Sequence, residues 1–516
     1  KIMKITFTIL LSIFWLCSYA QISMGGKPYS FEKELKTKSI KKNKSSQIVL
    51  TELDFKKLKQ EDKIIDSLGK PYRYGTAINV VFDLNNSGEW ILLENGDRIW
   101  KLPIRCPKAK SINISYDKFW IPIGAQFYLY SKDKSSHIGG YNSKNNKGDK
   151  SNPLGFATGL IFNEEIVLEY YEPKEVRGEG VISLSKIIYG YKDIRENEVA
   201  FGDGPSCSVN VNCSPEGDNW QDEKTSVAKI LMNGFICTGS LIANTRRDNT
   251  PYFLTADHCI ETNNLDAISD PDASDFIFWW NYESNDCSNG TGFEPPSTVG
   301  ATVIANDDPT DFALLRLLES PYDLTPQIQT YFNGWDLQTN SNNAVSIHHP
   351  AGDIKKISTE NDPPTLNSNR WAVYWDNTQN GNSATRGGSS GSPLYNSNSR
   401  VIGQAWTANT SACVNQYTSY GRFDMSWDDG AEARRRLKDW LDPDNTNLNF
   451  LNGGYFCEEV EIISRTISSD ETINGCNVKV ENVTIQNNAD IEINIEHGII
   501  IQKKFEVRQA STLLIE

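Results

Sequence analysis

Apolar and polar residues alternate in short stretches along most of the chain, and turn residues separate these stretches. Alternation over about four to eight residues, bounded by Gly, Asn, Ser or Asp, is typical of β-strands. Between residues 22 and 200, seven such stretches follow one short predicted helix near residues 53–68, and this pattern indicates a β-sandwich. The predicted strands cover residues 77–84, 90–93, 98–104, 111–116, 126–130, 165–171 and 181–191.

The strand pattern continues through the middle of the chain. Asn233-Gly234 separates the apolar stretches 227–232 and 235–242, and this pair predicts a hairpin with a two-residue turn. Apolar positions at helical spacing over residues 431–441, stopped by Asp442-Pro443, predict a closing helix. Further strands are predicted at residues 251–256, 276–282, 301–304, 312–317, 371–375 and 400–406.

Beyond residue 454 the strands become shorter and recur roughly every eight residues, which predicts a small stacked β-unit. These strands are predicted at residues 460–467, 478–480, 483–485, 491–495, 499–501 and 505–507.

A chain of 516 residues is too long for a single hydrophobic core. The changes in pattern divide it into residues 1–20, 21–201, 202–454 and 455–516. The first segment has a nearly unbroken apolar run over residues 5–17, and Ser18-Tyr19-Ala20 supplies the small residues of a signal-peptidase site. The run is shorter than the roughly 20 residues of a membrane span. We therefore expect cleavage after Ala20, export, and no membrane span in the mature chain.

Charge and cysteine content narrow the class of protein further. The net charge is −15 and no Lys/Arg-rich stripe accompanies aromatic residues, which argues against nucleic acid as a partner. Six of the ten cysteines lie between residues 202 and 454, a density that favours an oxidising compartment. No CxxC pair is present and the spacings are irregular, so a metal site is not expected. These features predict a secreted or extracellular protein.

Three stretches carry candidate chemistry. Residues 387–393, with the sequence GGSSGSP, predict a tight exposed turn that presents the Ser390 hydroxyl. The same turn would aim the N–H groups of Gly388 and Ser390 at one point, where an oxyanion could bind. Upstream, His258 lies beside a cysteine and Asp311 opens an apolar strand. The order His, Asp, Ser along the chain is that of chymotrypsin-type enzymes.

Taken alone, each of these features has a simpler interpretation. A Gly/Ser-rich stretch is also typical of surface loops, and a lone histidine is more often structural than catalytic. The other histidines are His137 in a polar loop, His497 near the C-terminus, and His348 and His349 before a proline in a predicted loop. His258 is the favoured general base because the serine and aspartate motifs follow it in order.

Several sequence motifs lie in order within one region of the chain. They are residues 255–259 (TADHC), 311–315 (DFALL), 347–350 (IHHP), 388–393 (GSSGSP), 401–404 (VIGQ), 420–422 (YGR) and 439–443 (DWLDP). With these motifs, residues 206–451 resemble the trypsin/chymotrypsin-fold serine endopeptidases, and among them the secreted bacterial lysyl-endopeptidase group. The resemblance implies two Greek-key β-barrels and a C-terminal helix.

The resemblance also implies roles for individual residues. Ser390 would be the nucleophile, His258 the general base and Asp311 the residue that orients its imidazole. The N–H groups of Gly388 and Ser390 would form the oxyanion hole. Proteins or peptides would be the substrates, and neither metal nor organic cofactor would be needed.

Disulfides are implied by the same resemblance. Outside the region of the resemblance, we expect Cys457 and Cys476 to pair with each other, which leaves Cys106 as the odd cysteine, a buried thiol. The implied pairs in the protease-like region are Cys207–Cys413, Cys213–Cys287 and Cys237–Cys259.

The specificity pocket departs from the family pattern. Trypsins carry an acid six residues before the serine, where this chain has Ala384, and the lysyl group carries one where Thr418 stands. Thr407 follows Trp406 at a position that is glycine in chymotrypsin-like enzymes, and it would narrow the pocket. We therefore predict a small or medium uncharged P1 residue rather than lysine. A loop shift that brings in Asp424 is the alternative.

The flanking units suggest how the protein is made and where it acts. Ser389 replaces the aspartate that pairs with the freed N-terminus in animal digestive relatives, so activation is expected to depend on removing or displacing the N-terminal unit, which resembles a pro-region. The alternative is a retained accessory or carbohydrate-binding sandwich that uses Trp90, Trp100 and Trp120.

The C-terminal unit resembles the β-repeat segments of proteins that Gram-negative bacteria export. This resemblance predicts contact with outer-membrane secretion machinery or attachment to the cell surface, and a simple adhesive or stalk-like domain is the alternative. For the whole chain, the sequence predicts a secreted serine endopeptidase made as a precursor. The alternative is a catalytically inactive relative that acts as a binding or adhesion protein.

Overall fold

The structure is a computed structural model in which strands predominate, as predicted. It describes residues 25–32, 47–67, 71–194, 207–260, 272–288, 295–321, 330–383, 385–408, 417–456, 459–508 and 511–515. The expected signal peptide lies outside these residues. The helices within them are Tyr29–Glu32, Phe55–Ser67, Glu223–Ser226, Asp257–Ile260, Phe423–Asp428 and Lys438–Leu441. No helix in the described part of the chain is both long and apolar enough to cross a bilayer.

The N-terminal unit, residues 25–194, contains two sheets over a shared core, which agrees with the predicted sandwich; their strands are antiparallel except for Ile48–Val49, which pairs parallel with Arg98–Arg105. Aromatic rings join the sheets: Phe127 of one sheet lies 5.6 Å from Phe119 and 5.8 Å from Tyr116 of the other, measured between ring centroids. One sheet runs in the order Ile48–Val49, Arg98–Arg105, Glu165–Glu172, Gln126–Ser131 and His137–Tyr141, with Glu89–Leu92 also pairing with Arg98–Arg105. The other runs Phe156–Ala157, Ser111–Trp120, Val181–Gly190 and Gly75–Asp83.

The first barrel is a closed six-stranded sheet, because its first strand pairs with both the second and the fourth. Asn233 and Gly234 both have positive φ, 49° and 90°, as the predicted two-residue hairpin turn requires. The strands along the chain are Val227–Met232, Phe235–Leu241, Tyr252–Ala256, Asp272–Trp280, Ser297–Asp307 and Phe312–Leu317.

The second barrel repeats the strand order of the first: first, second, third, sixth, fifth, fourth. Its second strand is joined to the segment just after its third strand, where the N–H of Asp376 donates to the carbonyl of Thr359 (3.0 Å). The strands are Ala344–His348, Lys356–Glu360, Arg370–Tyr374, Pro393–Tyr395, Arg400–Ala408 and Tyr417–Arg422. Short strands at Val209–Asn210, Gly334–Asp336, Thr365–Asn367 and Phe450–Leu451 extend this sheet. The two Greek-key barrels implied by the resemblance are therefore present.

The N-terminal unit adds a strand to the first barrel. Tyr72–Arg73 pairs antiparallel with Phe235 and Ile236, and the N–H groups of Tyr74 and Gly75 both donate to the carbonyl of Gly234 (2.8 and 3.0 Å). Such strand addition satisfies backbone groups that would otherwise lie at a sheet edge. The two units therefore share one hydrogen-bonded sheet.

Side chains reinforce this junction. Lys147 forms an ion pair with Glu319 (3.2 Å), and both side chains are only 10% exposed. The hydroxyl of Tyr282 donates to the carbonyl of Ile194 (2.8 Å), at the end of the described N-terminal unit. One hydrophobic core runs through the sandwich and one face of the first barrel.

The predicted closing helix over residues 431–441 forms only in pieces. A 3-10 turn at Ala433–Arg435 and a short helix at Lys438–Leu441 are separated by Arg436, which is extended. The N–H of Leu437 donates to the carbonyl of Ser426 (2.9 Å) in the preceding helix. That tertiary bond interrupts the helix, and Leu437 is fully buried as a result.

The C-terminal unit is a stack of parallel strands, in agreement with the predicted stacked β-unit, although the strands are longer than predicted and their pairing shifts register twice. Its strands are Glu459–Ile463, Thr466–Ile467, Glu471–Ile485, Asp490–Val507 and Thr512–Ile515. Partners such as Ile462 with Val480 and Ile491 with Leu513 show that one turn of the stack takes about twenty residues. Isoleucine and valine side chains fill its core.

Candidate active site

His258 and Asp311 meet where two strands of the first barrel end. His258 lies in the short helix Asp257–Ile260 that follows strand Tyr252–Ala256, and Asp311 directly precedes strand Phe312–Leu317, which pairs with it. The imidazole Nδ1 lies 2.8 Å from Asp311 Oδ2 and 3.0 Å from Oδ1, and the backbone N–H of His258 also donates to Oδ1 (3.0 Å). The predicted His–Asp pair is therefore assembled, with Nδ1 facing the carboxylate.

Asp311 is held in an unusual conformation. Its φ of 57° lies in the left-handed region, which aspartate tolerates better than most residues, and its N–H donates to the carbonyl of Asp308 (3.0 Å). The carboxylate is buried. Burial raises the pKa of Asp311, while His258 and its hydrogen bonds act in the opposite direction.

The short helix that carries His258 is fixed on both sides. The N–H of Asp257 donates to the carbonyl of Asp311 (2.9 Å), and its carboxylate accepts from Asn306 Nδ2 (2.7 Å). The Cys237–Cys259 disulfide ties the neighbouring residue to strand Phe235–Leu241. The position of the imidazole is thus determined by the barrel rather than by a loop.

The Ser390 turn is held by hydrogen bonds to the carbonyl groups of residues 387–390. The donors are Ala351 N–H to Gly387 O (2.7 Å), Thr238 Oγ1–H to Gly388 O (2.7 Å), Ser392 N–H to Ser389 O (2.9 Å) and Thr238 N–H to Ser390 O (2.8 Å). In a trans peptide the C=O and N–H groups point in opposite directions. The bond to Gly387 therefore also fixes the N–H of Gly388. The bond to Ser389 likewise fixes the N–H of Ser390.

Two glycines allow this turn to pack closely against both barrels. Gly388 has φ 96°, and a Cβ there would lie 2.7 Å from the carbonyl oxygen of His349. Gly391 has φ 82°, and a Cβ there would lie 2.8 Å from the N atom of Ala256, two residues before His258. Both positions exclude a side chain. The second contact brings the Ser390 turn against the strand that leads to His258.

Ala351 is the unexpected member of this arrangement. It has a positive φ of 52° without being glycine, within the 3-10 turn Pro350–Gly352. The carbonyl of Gly352 accepts from Lys229 Nζ (2.8 Å), and Lys229 lies over the ring of Tyr282 (3.8 Å to the centroid). The strained turn Pro350–Gly352 is thus fixed by Lys229, and the N–H of Ala351 donates to the carbonyl of Gly387.

The predicted pocket residues are only partly described. Ala384 lies outside the described residues. Thr418 is buried, accepts from Trp375 Nε1 (2.8 Å) and contacts the hydroxyl of Thr385. Thr407 Oγ1 lies 2.6 Å from Ser419 Oγ.

Two charged residues near the predicted pocket are also placed. The guanidinium of Arg370 stacks over Trp406, 3.5 Å from the ring centroid. Asp424, the alternative acid, is paired with Arg422 (Oδ1 to Nε, 3.0 Å). Its charge is therefore already matched by a close neighbour.

The disulfides agree with the implied pairing as far as they are described. Cys213–Cys287 and Cys237–Cys259 are both formed. Cys207 is in a disulfide, while its implied partner Cys413 and also Cys457 lie outside the described residues. Nothing is described of the side chain of Cys476.

Cys106 is a free buried cysteine in the described part of the chain, as predicted, and burial raises its pKa to about 12. Among described residues, no cluster of three or more His, Cys, Asp or Glu side chains could hold a metal ion.

Sequence reasoning missed two residues that contact the Ser390 turn. Thr238 belongs to none of the sequence motifs, yet it donates hydrogen bonds to the carbonyls of Gly388 and Ser390. His348 was placed in a loop, which is wrong: it ends strand Ala344–His348 and is fully buried, with Nδ1 2.7 Å from Ser389 Oγ. The alternation of apolar residues before IHHP was the available signal, and the following proline obscured it.

Residues 201–424 match a protein family described as the C-terminal domain of lysyl endopeptidase. A lysyl endopeptidase of Pseudomonas aeruginosa is 27% identical over 225 residues, which cover 39% of this chain and 45% of that protein. The chain thus spans less than half the length of this curated relative. The match confirms the resemblance to the lysyl-endopeptidase group for this part of the chain.

Two solved structures are similar to this chain over part of its length. A thermostable serine protease from an extremophilic microorganism is 14% identical, with a TM-score of 0.26 over 39% of this chain and 92% of that one. A Glu endopeptidase is 17% identical, with a TM-score of 0.26 over 43% of this chain and 91% of that one.

Proposed function

We propose that this chain, whose residues 201–424 match the lysyl-endopeptidase family, is a secreted serine endopeptidase with the triad Ser390, His258 and Asp311. The observation that carries the proposal is the bond between His258 Nδ1 and Asp311, 2.8 Å long, beside a turn that carries Ser390. The carboxylate holds the proton on Nδ1, which leaves Nε2 as the basic nitrogen.

In the proposed mechanism, Ser390 Oγ attacks the carbonyl carbon of the scissile peptide bond and its proton passes to Nε2 of His258. The same nitrogen then protonates the leaving amine, and an acyl-enzyme forms. Water repeats the cycle as nucleophile and releases the acyl group. Asp311 stabilises the imidazolium that exists between these transfers.

The developing oxyanion would be bound by the N–H groups of Gly388 and Ser390. Their support is the set of hydrogen bonds to the carbonyls of residues 387–390, which leaves little freedom for either peptide group to rotate. Donors that are oriented in advance cost no reorganisation in the transition state, and one such donor is worth about 10²–10³ in kcat.

For specificity we propose a small or medium uncharged P1 residue. Thr418 supplies a hydroxyl already engaged by Trp375, and Thr407 is held towards Ser419. The guanidinium of Arg370 over Trp406 would repel a cationic P1 side chain. These neighbours favour an uncharged residue over the lysine in the name of the relative.

Secretion as a precursor completes the proposal. The disulfides Cys213–Cys287 and Cys237–Cys259 suit an oxidising compartment, and residues 1–20 have the pattern of an export signal. We propose that the N-terminal unit is a pro-region whose removal or displacement activates the enzyme. Full activity of the uncut chain on peptides would contradict that part.

The direct test is labelling with a fluorophosphonate probe, which reacts with activated serines. Protein freed of its N-terminal unit should take up one label, and mass spectrometry should locate it on Ser390. Ser390→Ala should abolish labelling. Ser397→Ala, which changes an exposed serine further along the chain, should not. A folded, processed sample that takes no label would favour the binding or adhesion protein instead.

The P1 proposal is tested with a peptide library that varies one position. Cleavage should concentrate after small and medium uncharged residues. Arg370→Gln should raise the relative rate after lysine by removing the cation over Trp406. Efficient cleavage after lysine alone by the unaltered protein would overturn the proposed preference.

A further inference from the structure

The strand Ala344–His348 lies beside the Ser390 turn. Strand Pro393–Tyr395 pairs antiparallel with it, Ser346 opposite Leu394, so the chain before Pro393 continues towards His348. Residues two apart on a strand point to the same face. Ser346 Oγ accordingly lies 3.2 Å from Ser392 Oγ, and His348 Nδ1 lies 2.7 Å from Ser389 Oγ. Two alternate side chains of this strand thus support the turn.

His348 joins hydroxyl groups on two elements. Its Nε2 lies 2.9 Å from Ser358 Oγ on the neighbouring strand Lys356–Glu360, while Nδ1 contacts Ser389. A neutral imidazole has one donor and one acceptor, which matches one hydroxyl at each nitrogen. Burial, helped by the nearby cation of Lys356, lowers the pKa of His348 to about 3. The ring is therefore neutral at neutral pH.

Ser389 links this imidazole to the oxyanion donors. Its Oγ also accepts the N–H of Arg386 (3.1 Å), and its carbonyl accepts the N–H of Ser392 (2.9 Å). The peptide group between Ser389 and Ser390 carries one of the two proposed oxyanion donors. A side chain that anchors Ser389 therefore limits the rotation of that peptide group.

We propose that His348 is a positioning residue for the oxyanion hole, acting through Ser389. This inference rests on the proposed function and adds a residue to it. In animal digestive relatives the position of Ser389 is an aspartate whose partner is a freed N-terminus. Here the partner of Ser389 is the side chain of His348, on a strand of the same barrel. This contact forms when the barrel folds and does not require cleavage of the chain.

The test separates the two nitrogens of His348. In His348→Asn, the amide replaces Nδ1 and can still bond Ser389, but it cannot reach Ser358. In His348→Gln, the longer side chain reaches the place of Nε2 and can bond Ser358, but it leaves Ser389 without this partner. Each variant leaves one buried hydroxyl group without its hydrogen-bond partner. The two variants should therefore lose similar thermal stability, which makes them a matched pair.

The expected readout is a split between the variants. Per titrated active site, H348Q should lose roughly 10- to 100-fold in kcat with KM within about twofold, because one oxyanion donor is loosened. H348N should retain kcat within about threefold of the unaltered protein. The inhibition constant of a peptide boronate, whose tetrahedral adduct places an oxygen in the oxyanion hole, should rise with H348Q and change little with H348N.

A purely structural role would lower stability alike in both variants and leave kcat per titrated site equal, and that result would overturn the inference. If either variant fails to fold, the hydroxyl partners give the same test. Ser389→Ala should lower kcat about tenfold or more, and Ser358→Ala should lower it by no more than about threefold. Equal kcat in these two variants would also overturn the inference.

Failure of the inference can be distinguished from failure of the proposed function. If the unaltered, processed protein takes the fluorophosphonate label on Ser390 and cleaves peptides, the proposed function holds whatever the His348 variants show. If it does neither, the proposed function fails and the inference falls with it.

Discussion

Two histidines flank the Ser390 turn, and their surroundings are opposite. His258 has a carboxylate at Nδ1 and a side chain that is 22% exposed. His348 is fully buried and has a hydroxyl at each nitrogen, on Ser389 and Ser358. A carboxylate stabilises an imidazolium, whereas a hydroxyl gives it little compensation for lost hydration. The imidazole of His258 can therefore take up and release a proton. The imidazole of His348 stays neutral and can only hold its hydroxyl partners in position.

The comparison shows that the same side chain serves chemistry or architecture according to its partner. A charged partner and partial access to water suit the proton transfers proposed for His258. Neutral partners and burial suit the positioning role proposed for His348, which is to hold Ser389 in place. Three experiments test this difference, from the largest expected effect to the smallest.

Replacing Asp311 should have the largest effect. In Asp311→Asn, the amide oxygen can accept the N–H of His258, and the amide NH₂ then faces Nδ1. That contact favours the tautomer with its proton on Nε2, which cannot act as a base. We expect kcat to fall by about 10⁴-fold with little change in KM, measured on one peptide substrate.

The control for Asp311→Asn is Asp308→Asn. Asp308 is exposed and contributes its backbone carbonyl to Asp311, so the same loss of charge leaves the backbone bond in place. Its kcat should remain near that of the unaltered protein. Equal losses in both variants would mean that net charge near the cleft, rather than the contact with His258, sets the activity.

Adding a methyl group to the turn between the two histidines should have an intermediate effect. In Gly388→Ala, the new Cβ would lie 2.7 Å from the carbonyl oxygen of His349 at a φ of 96°. The turn must shift, and kcat should fall about 10²-fold. Gly300→Ala is the matched control, because Gly300 lies on a strand of the first barrel and a Cβ there, at a φ of 85°, would lie 2.8 Å from the carbonyl oxygen of Ser274. Similar losses of activity would show that backbone strain alone, not displacement of the turn, is responsible.

The third experiment uses pH and has the smallest expected effect. The folded protein holds His348 neutral down to a pKa of about 3, whereas the unfolded chain takes up a proton near 6.5. The folded-state pKa is depressed, so this contribution to stability is present above pH 6.5 and is lost as the pH falls towards 3. The free energy of unfolding should fall more steeply with falling pH than in His348→Asn, by up to about 1.4 kcal/mol per pH unit.

Urea unfolding at several pH values between 7 and 4 measures this difference. Burial also lowers the pKa of His349, so His349→Asn should reduce the slope in the same direction. Parallel pH curves for the unaltered protein and His348→Asn would show that His348 is not neutral in the folded state.

Local rules made part of the fold predictable. The Asn233-Gly234 turn followed from the sequence because positive φ at two adjacent residues is a requirement that those two residues meet themselves. The pairing of His258 with Asp311 was implied by the resemblance, because the order of the His, Asp and Ser motifs is that of chymotrypsin-type enzymes. Alternation of apolar residues likewise gave the two-sheet core of the N-terminal unit.

Interactions between distant segments were not predictable in this way. The strand Tyr72–Arg73 is two residues long and has no period of its own, and only its partner Phe235–Leu241 defines it. The closing helix breaks because Leu437 bonds to Ser426, which no local propensity encodes. The contact of His348 with Ser389, 41 residues away, is likewise encoded by no local pattern.

The strand that the N-terminal unit adds to the first barrel affects how that unit would dissociate after cleavage. Within one chain, Tyr72–Arg73 faces Phe235–Leu241 at an effective concentration set by the connecting segment, and reassociation is rapid. A cut between residues 194 and 207 would change no contact in that sheet. It would turn a unimolecular equilibrium into a bimolecular one, so that dilution after export, rather than the cut itself, would decide when the two pieces part.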